Sequence, residues 1–298
     1  MARHAEDSGA LPASFVISMP VLDFILNCAA LLLWLNGRSR RLTNLPRVPG
    51  ITLIATLKSA QHQPSGRWPA HLALAVLLFA RAILYWQAGG AARWMPTIPL
   101  GPITLHFRND MFMPMLLFSL LGFVFFLAVF YFSLLLLAVG NRGGLENNAW
   151  VALVRAHLGP FARWPAPVLL LVPLVITFLL WLALGPVFGA LQLAAPASSF
   201  AQLAKQALVI GLSAWLPWAY VMAGVFALHF LASYVYFGSA SFWNFISVTA
   251  RQLLRPLALL PLRLGKLDLA PLLGLALMVA VILYAPRGLT WLYGRLAV

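Results

Sequence analysis

FMPMLLFSLLGFVFFLAVFYFSLLLLAV, residues Phe112–Val139, holds no charged side chain; one proline, one glycine and two serines interrupt an otherwise apolar run. An α-helix rises about 1.5 Å per residue and a bilayer's hydrocarbon core is about 30 Å thick, so about 20 such residues cross it. The run is far longer than a membrane barrel strand of about 10 residues and lacks period-two alternation. Five further runs of the same character occupy about 16–36, 70–88, 166–190, 207–237 and 269–284. Hydrophobic residues make up 62% of the 298 positions and charged residues 9%, whereas soluble domains carry about 25% charged residues. The expected fold class is an all-α membrane protein with six transmembrane helices.

The net charge of +14 raises nucleic acid as a partner, but its placement points to a membrane. Arg38, Arg40, Arg41, Arg47, Lys58 and Arg67 lie between runs one and two. Arg142, Arg155 and Arg163 lie between runs three and four, and Arg251, Arg255, Arg263 and Lys266 between runs five and six. These alternate loops hold 13 of the 20 basic residues. The positive-inside rule makes them cytoplasmic and places both chain ends outside, in the periplasm if the membrane is the bacterial plasma (inner) membrane. The expected partners of the charge are membrane lipids, with no nucleic acid. Met1 to Ser14 is short and polar, and the first run leads into an arginine cluster, so that run is expected to remain as a helix and not to be cleaved as a signal peptide. The single cysteine, Cys28, leaves no intrachain disulfide and no cysteine-rich metal site.

A Pro-x-small-x-x-Pro pattern recurs at one spacing. It runs from Pro64 to Pro69, from Pro160 to Pro165 and from Pro256 to Pro261, each copy 96 positions after the last. Such a period signals one structural unit used repeatedly. Every copy falls in a basic loop, so each unit reads as a helix entering, a cytoplasmic corner and a helix returning. Three parallel helical-hairpin repeats are expected, over 16–104, 111–200 and 207–298, after a polar segment 1–15. Parallel repeats keep one orientation when each has two spans.

Ahead of each proline pair lies a stretch of similar character: Ile51–Lys58, Asn147–Arg155 and Trp243–Arg251. Asn148 and Asn244 correspond under the 96 spacing, as do Arg155 and Arg251. Trp150, Val154, Leu158 and Phe161 recur at helical spacing, and Phe242, Phe245, Ile246 and Leu253 do much the same. These stretches are expected to be short helices at the cytoplasmic interface. Asn147 or Asn148, and Ser241, are the expected N-caps. The first proline of each pair lacks a donor and would stop the helix; the second would sit in the first turn of the returning helix, where a missing N–H costs nothing.

The third copy resembles the YggT family of small bacterial and plastid membrane proteins. The resemblance rests on Phe242 to Arg251, Pro256, Pro261, Arg263, Gly265, Asp268 and Pro271. It departs from the family pattern where Ala270 replaces a serine, and in having three hairpin units where the family has two. The resemblance implies an integral membrane protein of a family without an established enzymatic activity, linked to cytochrome maturation in plastids and to envelope organisation, division and osmotic tolerance in bacteria. It carries over no catalytic residue.

Charges inside spans are costly and mark function or partnership. Asp23 and Arg81 each lie about seven residues from the outer ends of helices one and two, and antiparallel neighbours bring equal depths together. An intramembrane Asp23–Arg81 pair is expected, with Asn27 one helical turn below Asp23. His71 and His229 are the weak cofactor candidates, since two facing histidines at equal depth can hold a haem; His106 and His157 fall in loops. No spacing suggests a metal site or a catalytic serine, and Gly140–Gly144 follows no strand, so it is not a phosphate cradle. Trp94 to Phe107 carries prolines on both sides of Gly101-Pro102 and reads as a small outer hairpin or lid.

The expected function is a non-enzymatic membrane scaffold, assembly factor or accessory subunit of a larger complex, with no cofactor, and with another integral membrane protein or a second copy as partner. A small ion or solute channel or transporter is the alternative, and a haem- or quinone-associated protein the second.

Overall fold

The computed structural model describes residues 13–39, 68–92, 94–142, 148–235, 240–259, 263–264 and 267–296. Helices dominate. α1 covers Ala13–Ser39 and α2 Trp68–Ala92. A hairpin of β1 (Thr97–Leu100) and β2 (Ile103–His106) follows. Then come α3 (Phe112–Gly140), α4 (Ala149–Leu158), α5 (Ala166–Ala190), α6 (Phe200–Ser213), α7 (Leu216–Tyr234) and α8 (Ser241–Leu253). β3 (Arg263–Leu264) pairs antiparallel with β4 (Leu267–Asp268), and α9 (Ala270–Leu296) is the last element described. Among the described residues six stretches are long and apolar enough to cross a membrane: Met19–Arg38, Trp68–Gly89, Phe112–Gly140, Ala166–Ala190, Phe200–Tyr234 and Ala270–Leu296. The chain is an all-α multi-pass membrane protein.

The fifth span differs from the expectation of one helix over 207–237. It is two helices, α6 and α7, broken at Ala214 and Trp215. The cause is Pro217, which has no N–H and whose ring would clash with the carbonyl of Ser213 in a continuous helix. Turns with i−3 acceptors bridge the gap: Ala214 N–H to Gly211 O at 3.1 Å, Trp215 N–H to Leu212 O at 3.3 Å, Trp218 N–H to Trp215 O at 3.0 Å. The 35 residues would extend about 52 Å as one straight helix, well beyond a core about 30 Å thick.

The chain divides into two compact units: Met1–Arg41 with Pro64–Ile98 and Thr104–Ala128, and Leu42–Gln63 with Pro99–Ile103 and Val129–Val298. These do not coincide with the three hairpin ranges read from the proline period. α5, placed by that period in the second hairpin, packs chiefly along α6.

In the first unit, α1 packs on α2. Ala30, Leu74, Leu78 and Phe123 form a buried cluster, edged by Leu33, Trp34 and Leu127. Ser119 donates to the Leu78 carbonyl at 2.8 Å, tying α3 to α2 where both are buried. Asn109 Nδ2 donates to the carbonyls of Gly89 (2.9 Å) and Trp94 (2.8 Å), which fixes the end of α2 to the start of α3. Arg108 and Asp110 form an exposed pair at 2.7 Å; the Arg108 hydrogen bond holds the Asp110 carboxyl below its ordinary range. Gly101, which belongs to the second unit, turns the β1–β2 hairpin with φ +75°, a left-handed conformation that glycine adopts without a Cβ penalty.

In the second unit, α9 lies along α7 and also touches α6, and α8 packs on α7 and α4. Gly211 brings α6 against Leu174 and Phe178 of α5, and Gly274 brings α9 against Leu254 and Phe226. Small residues at such crossings allow helices to approach where water exclusion supplies no drive.

Candidate functional site

Asp23 on α1 and Arg81 on α2 meet with 2.9 Å between Oδ1 and Nη2. Asn27, one turn along α1, joins both: its Oδ1 accepts from Arg81 Nη1 at 2.7 Å, and its Nδ2 donates to Asp23 Oδ2 at 3.1 Å. Tyr85, one turn along α2, donates its hydroxyl to Asp23 Oδ1 at 2.8 Å. The guanidinium carbon lies 5.4 Å from the Tyr85 ring centre and 5.8 Å from that of Phe118, within cation–π range. Trp94 and Phe107 from the connection between α2 and α3 pack edge-on or tilted against Tyr85 and Phe118. Arg81 is 2% exposed and Tyr85 0%.

The arrangement therefore neutralises charge locally. Asp23 takes two donors and a cation, and the arginine takes an acceptor, an anion and two ring faces. Nε of Arg81 has no hydrogen-bond partner among the described residues. Gly122 leaves the space that Arg81 needs, because a Cβ there would lie 2.9 Å from Nη2. The residue types explain the local geometry. Asp23 and Asn27 are four apart, as are Arg81 and Tyr85, so each helix turns two polar groups to one face.

A second polar set lies within the second unit. Asn148 caps α4 by accepting from Trp150 N–H at 2.8 Å, and its Nδ2 donates to the Ser241 carbonyl at 3.0 Å. Thr249 donates to the Phe245 carbonyl at 2.7 Å and accepts from Asn141 Nδ2 at 2.7 Å. Trp150 stacks edge-on against Phe242 at 5.4 Å, and Trp218 Nε1 donates to the Phe132 carbonyl at 2.8 Å.

Two expected details of these corners are corrected. Ser241 is not the N-cap of α8; Ala240 is, with extended backbone and no side-chain cap bond. Ser241 is already helical and gives its carbonyl to Asn148 instead. Pro160 does not end α4: Gly159 does, with φ +59°, and Pro160 then opens a 3-10 turn over Gly159–Arg163. Pro165 is the N-cap of α5 and so precedes its first turn. A second 3-10 turn over Arg255–Leu259 holds Pro256 and begins 96 positions after the first.

The remaining candidates are dispersed. Pro69 is the second residue of α2, and Pro64 and Pro261 lie outside the described residues. Asn244 is exposed on α8 while Asn148 is buried, so the two corresponding asparagines have different environments. Arg155 and Arg251 are exposed on the last turns of α4 and α8. Arg263 and Asp268 are Cα partners across β3–β4, and Pro271 is buried in the first turn of α9. His71 packs edge-on against Trp34 at 6.2 Å in the first unit. His229, in the second unit, is half-buried. Among the described residues no group of three His, Cys, Asp or Glu could hold a metal.

Sequence reasoning paired Asp23 with Arg81 by depth but missed Tyr85, although its position four residues after Arg81 was a usable signal. It also missed the Asn141–Thr249 link, for which distant sequence positions give no sign. No family model matches this chain, and no curated protein or solved structure matches it either.

Proposed function

We propose that the chain is a non-enzymatic scaffold, assembly factor or accessory subunit in a bacterial plasma membrane, with both ends outside and its basic loops in the cytoplasm. The observation that carries this reading is the burial of Arg81, 2% exposed among its partners. An ionisable group on a transport path must meet water or a ligand; this one is committed to holding α1 against α2. The outward wall is aromatic and aliphatic. On α2, Trp68, Leu72, Val76, Phe79 and Trp86 are all exposed, and their spacing places them on one side of the helix. Such a face suits lipid or another membrane protein. The three-hairpin organisation and the YggT-like third corner belong to the same proposal, the latter resting on the motif residues alone.

A channel or transporter is the second reading, favoured by one feature: the break between α6 and α7 within a span. Transporters place sites at interrupted helices.

Gentle solubilisation followed by mass spectrometry separates the two. The scaffold reading expects one integral membrane protein, or a second copy, recovered in fixed ratio, and no ion flux from liposomes containing the chain alone. Flux by the isolated chain with no stable companion overturns it.

A further inference from the structure

Where α3 ends, the second unit holds a pocket of about 490 Å³ that neither proposed function uses. It is lined by Asn141 and Arg142 at the end of α3, Val151 and Arg155 of α4, Arg163 of the 3-10 turn and Phe245 of α8. Three arginines thus line one concavity. The ion pairs among the described residues, Asp23–Arg81 and Arg108–Asp110, both lie in the first unit, and Asp268 of the second unit is the Cα partner of Arg263 across β3–β4. The pocket's positive charge has no protein counter-ion among the described residues.

Asn141 supplies an independent observation. It is 2% exposed, and its Oδ1 is buried without a hydrogen-bond partner. The amide orientation follows from its neighbours. Nδ2 faces the Leu137 carbonyl at 2.8 Å and Thr249 Oγ1 at 2.7 Å. The Thr249 hydroxyl proton is already given to the Phe245 carbonyl, so both neighbours can only accept, and only the NH₂ of Asn141 can face them. Oδ1 is left as an acceptor on a residue that lines the pocket. A buried acceptor without a donor is costly, and native structures leave few of them.

The pocket therefore asks for two things at once: an anion for the arginines and a hydrogen-bond donor for Asn141. We propose that it binds a phosphate ester bearing an adjacent hydroxyl or ammonium group, the chemistry shared by glycerophospholipid headgroups and small soluble phosphates. Arginine matches phosphate oxygens with paired donors, and basic pockets beside spanning helices take anionic headgroups. The C-terminal carbonyls of α3 disfavour an anion by about half a charge, which three whole charges outweigh. The inference stands apart from the scaffold reading, because a scaffold and a channel could each carry such a site.

The test uses the full chain in detergent with titrated ligands, read by native mass spectrometry. The probes are phosphatidylglycerol, with phosphate and two hydroxyls; phosphatidylcholine, with phosphate and no donor; and glycerol 1-phosphate as the soluble form. Phosphatidylglycerol is expected to bind with one-site stoichiometry and at least tenfold more tightly than phosphatidylcholine. Arg142→Gln/Arg155→Gln/Arg163→Gln is expected to weaken it at least tenfold. Arg251→Gln/Arg255→Gln/Arg295→Gln, which removes equal charge away from the pocket, is expected to leave it within twofold. Glycerol 1-phosphate binding as tightly as the lipid assigns the site to a soluble phosphate; binding by the lipid alone assigns it to the bilayer. Equal weakening by the two triple variants, equal affinity for the two lipids, or no binding by any probe overturns the proposal.

Discussion

Removing Arg81 tests the buried cluster most directly. In Arg81→Ala, Asp23 loses a cation at 2.9 Å, Asn27 loses a donor at 2.7 Å, and Tyr85 and Phe118 lose a cation near their rings. Two unit charges at that separation attract by about 6 kcal/mol at an effective dielectric of about 20. Desolvation of both ions offsets much of this, so the pair's net contribution is far smaller than the attraction. Breaking it from one side is different, because the other charge stays behind in the membrane; that costs about 3–5 kcal/mol. Arg81→Ala and Asp23→Ala are each expected to lose about that much. Asp23→Ala/Arg81→Ala strands no charge, and its loss should fall near the cavity cost of about 2–5 kcal/mol for a large side chain. The singles would then sum well above the double, with a coupling of at least about 2 kcal/mol. The assay is equilibrium unfolding in mixed micelles with rising denaturing-detergent fraction, followed by tryptophan fluorescence. Strictly additive losses would refute the reasoning.

Further outcomes follow from the same geometry. Gly122→Ala forces a Cβ to 2.9 Å from Arg81 Nη2; the guanidinium is held by its partners, so the same assay should show a loss of about 1–3 kcal/mol. Asn148→Ala removes the α4 cap and the bridge to Ser241, with about 1 kcal/mol expected from the cap alone. Asn148→Ser should restore protection against hydrogen exchange at the start of α4 but not the tie to α8. Gly159→Ala meets open space yet must adopt φ +59° and ψ −131°, so a loss of about 1–3 kcal/mol should arise from backbone strain alone, visible as a lower thermal midpoint.

The sequence exposed the spans because a bilayer demands one simple property, an uninterrupted apolar run of sufficient length. It exposed the β1–β2 turn because Gly101-Pro102 is unusual chemistry between apolar stretches. Hydropathy says nothing about helix continuity, and so the break at Ala214 and Trp215 stayed hidden in an unbroken apolar run, although Pro217 was in plain view. The α8 cap was misplaced because cap preference is a local tendency, and the Ser241 carbonyl is instead engaged by Asn148, 93 positions away. In the buried cluster, equal depth on adjacent helices brought Asp23 and Arg81 together on paper. The approach of Arg81 to the Phe118 ring depends on α3, whose rotation no pattern reveals when almost every side chain on it is apolar.

The Asp23–Arg81 contact also bears on how the protein is made. Asp23 precedes Arg81 by 58 residues, roughly 3–12 s of synthesis at about 5–20 residues per second. During that interval α1 carries a carboxylate whose cation does not yet exist; a lone aspartate opposes insertion by about 2.5–3.5 kcal/mol at a helix centre, and by less near a span's end, where Asp23 lies. α1 therefore inserts against that cost until α2 delivers its arginine. The first two helices are committed to the bilayer as a couple, and the order in which the ribosome supplies them sets when the couple can form.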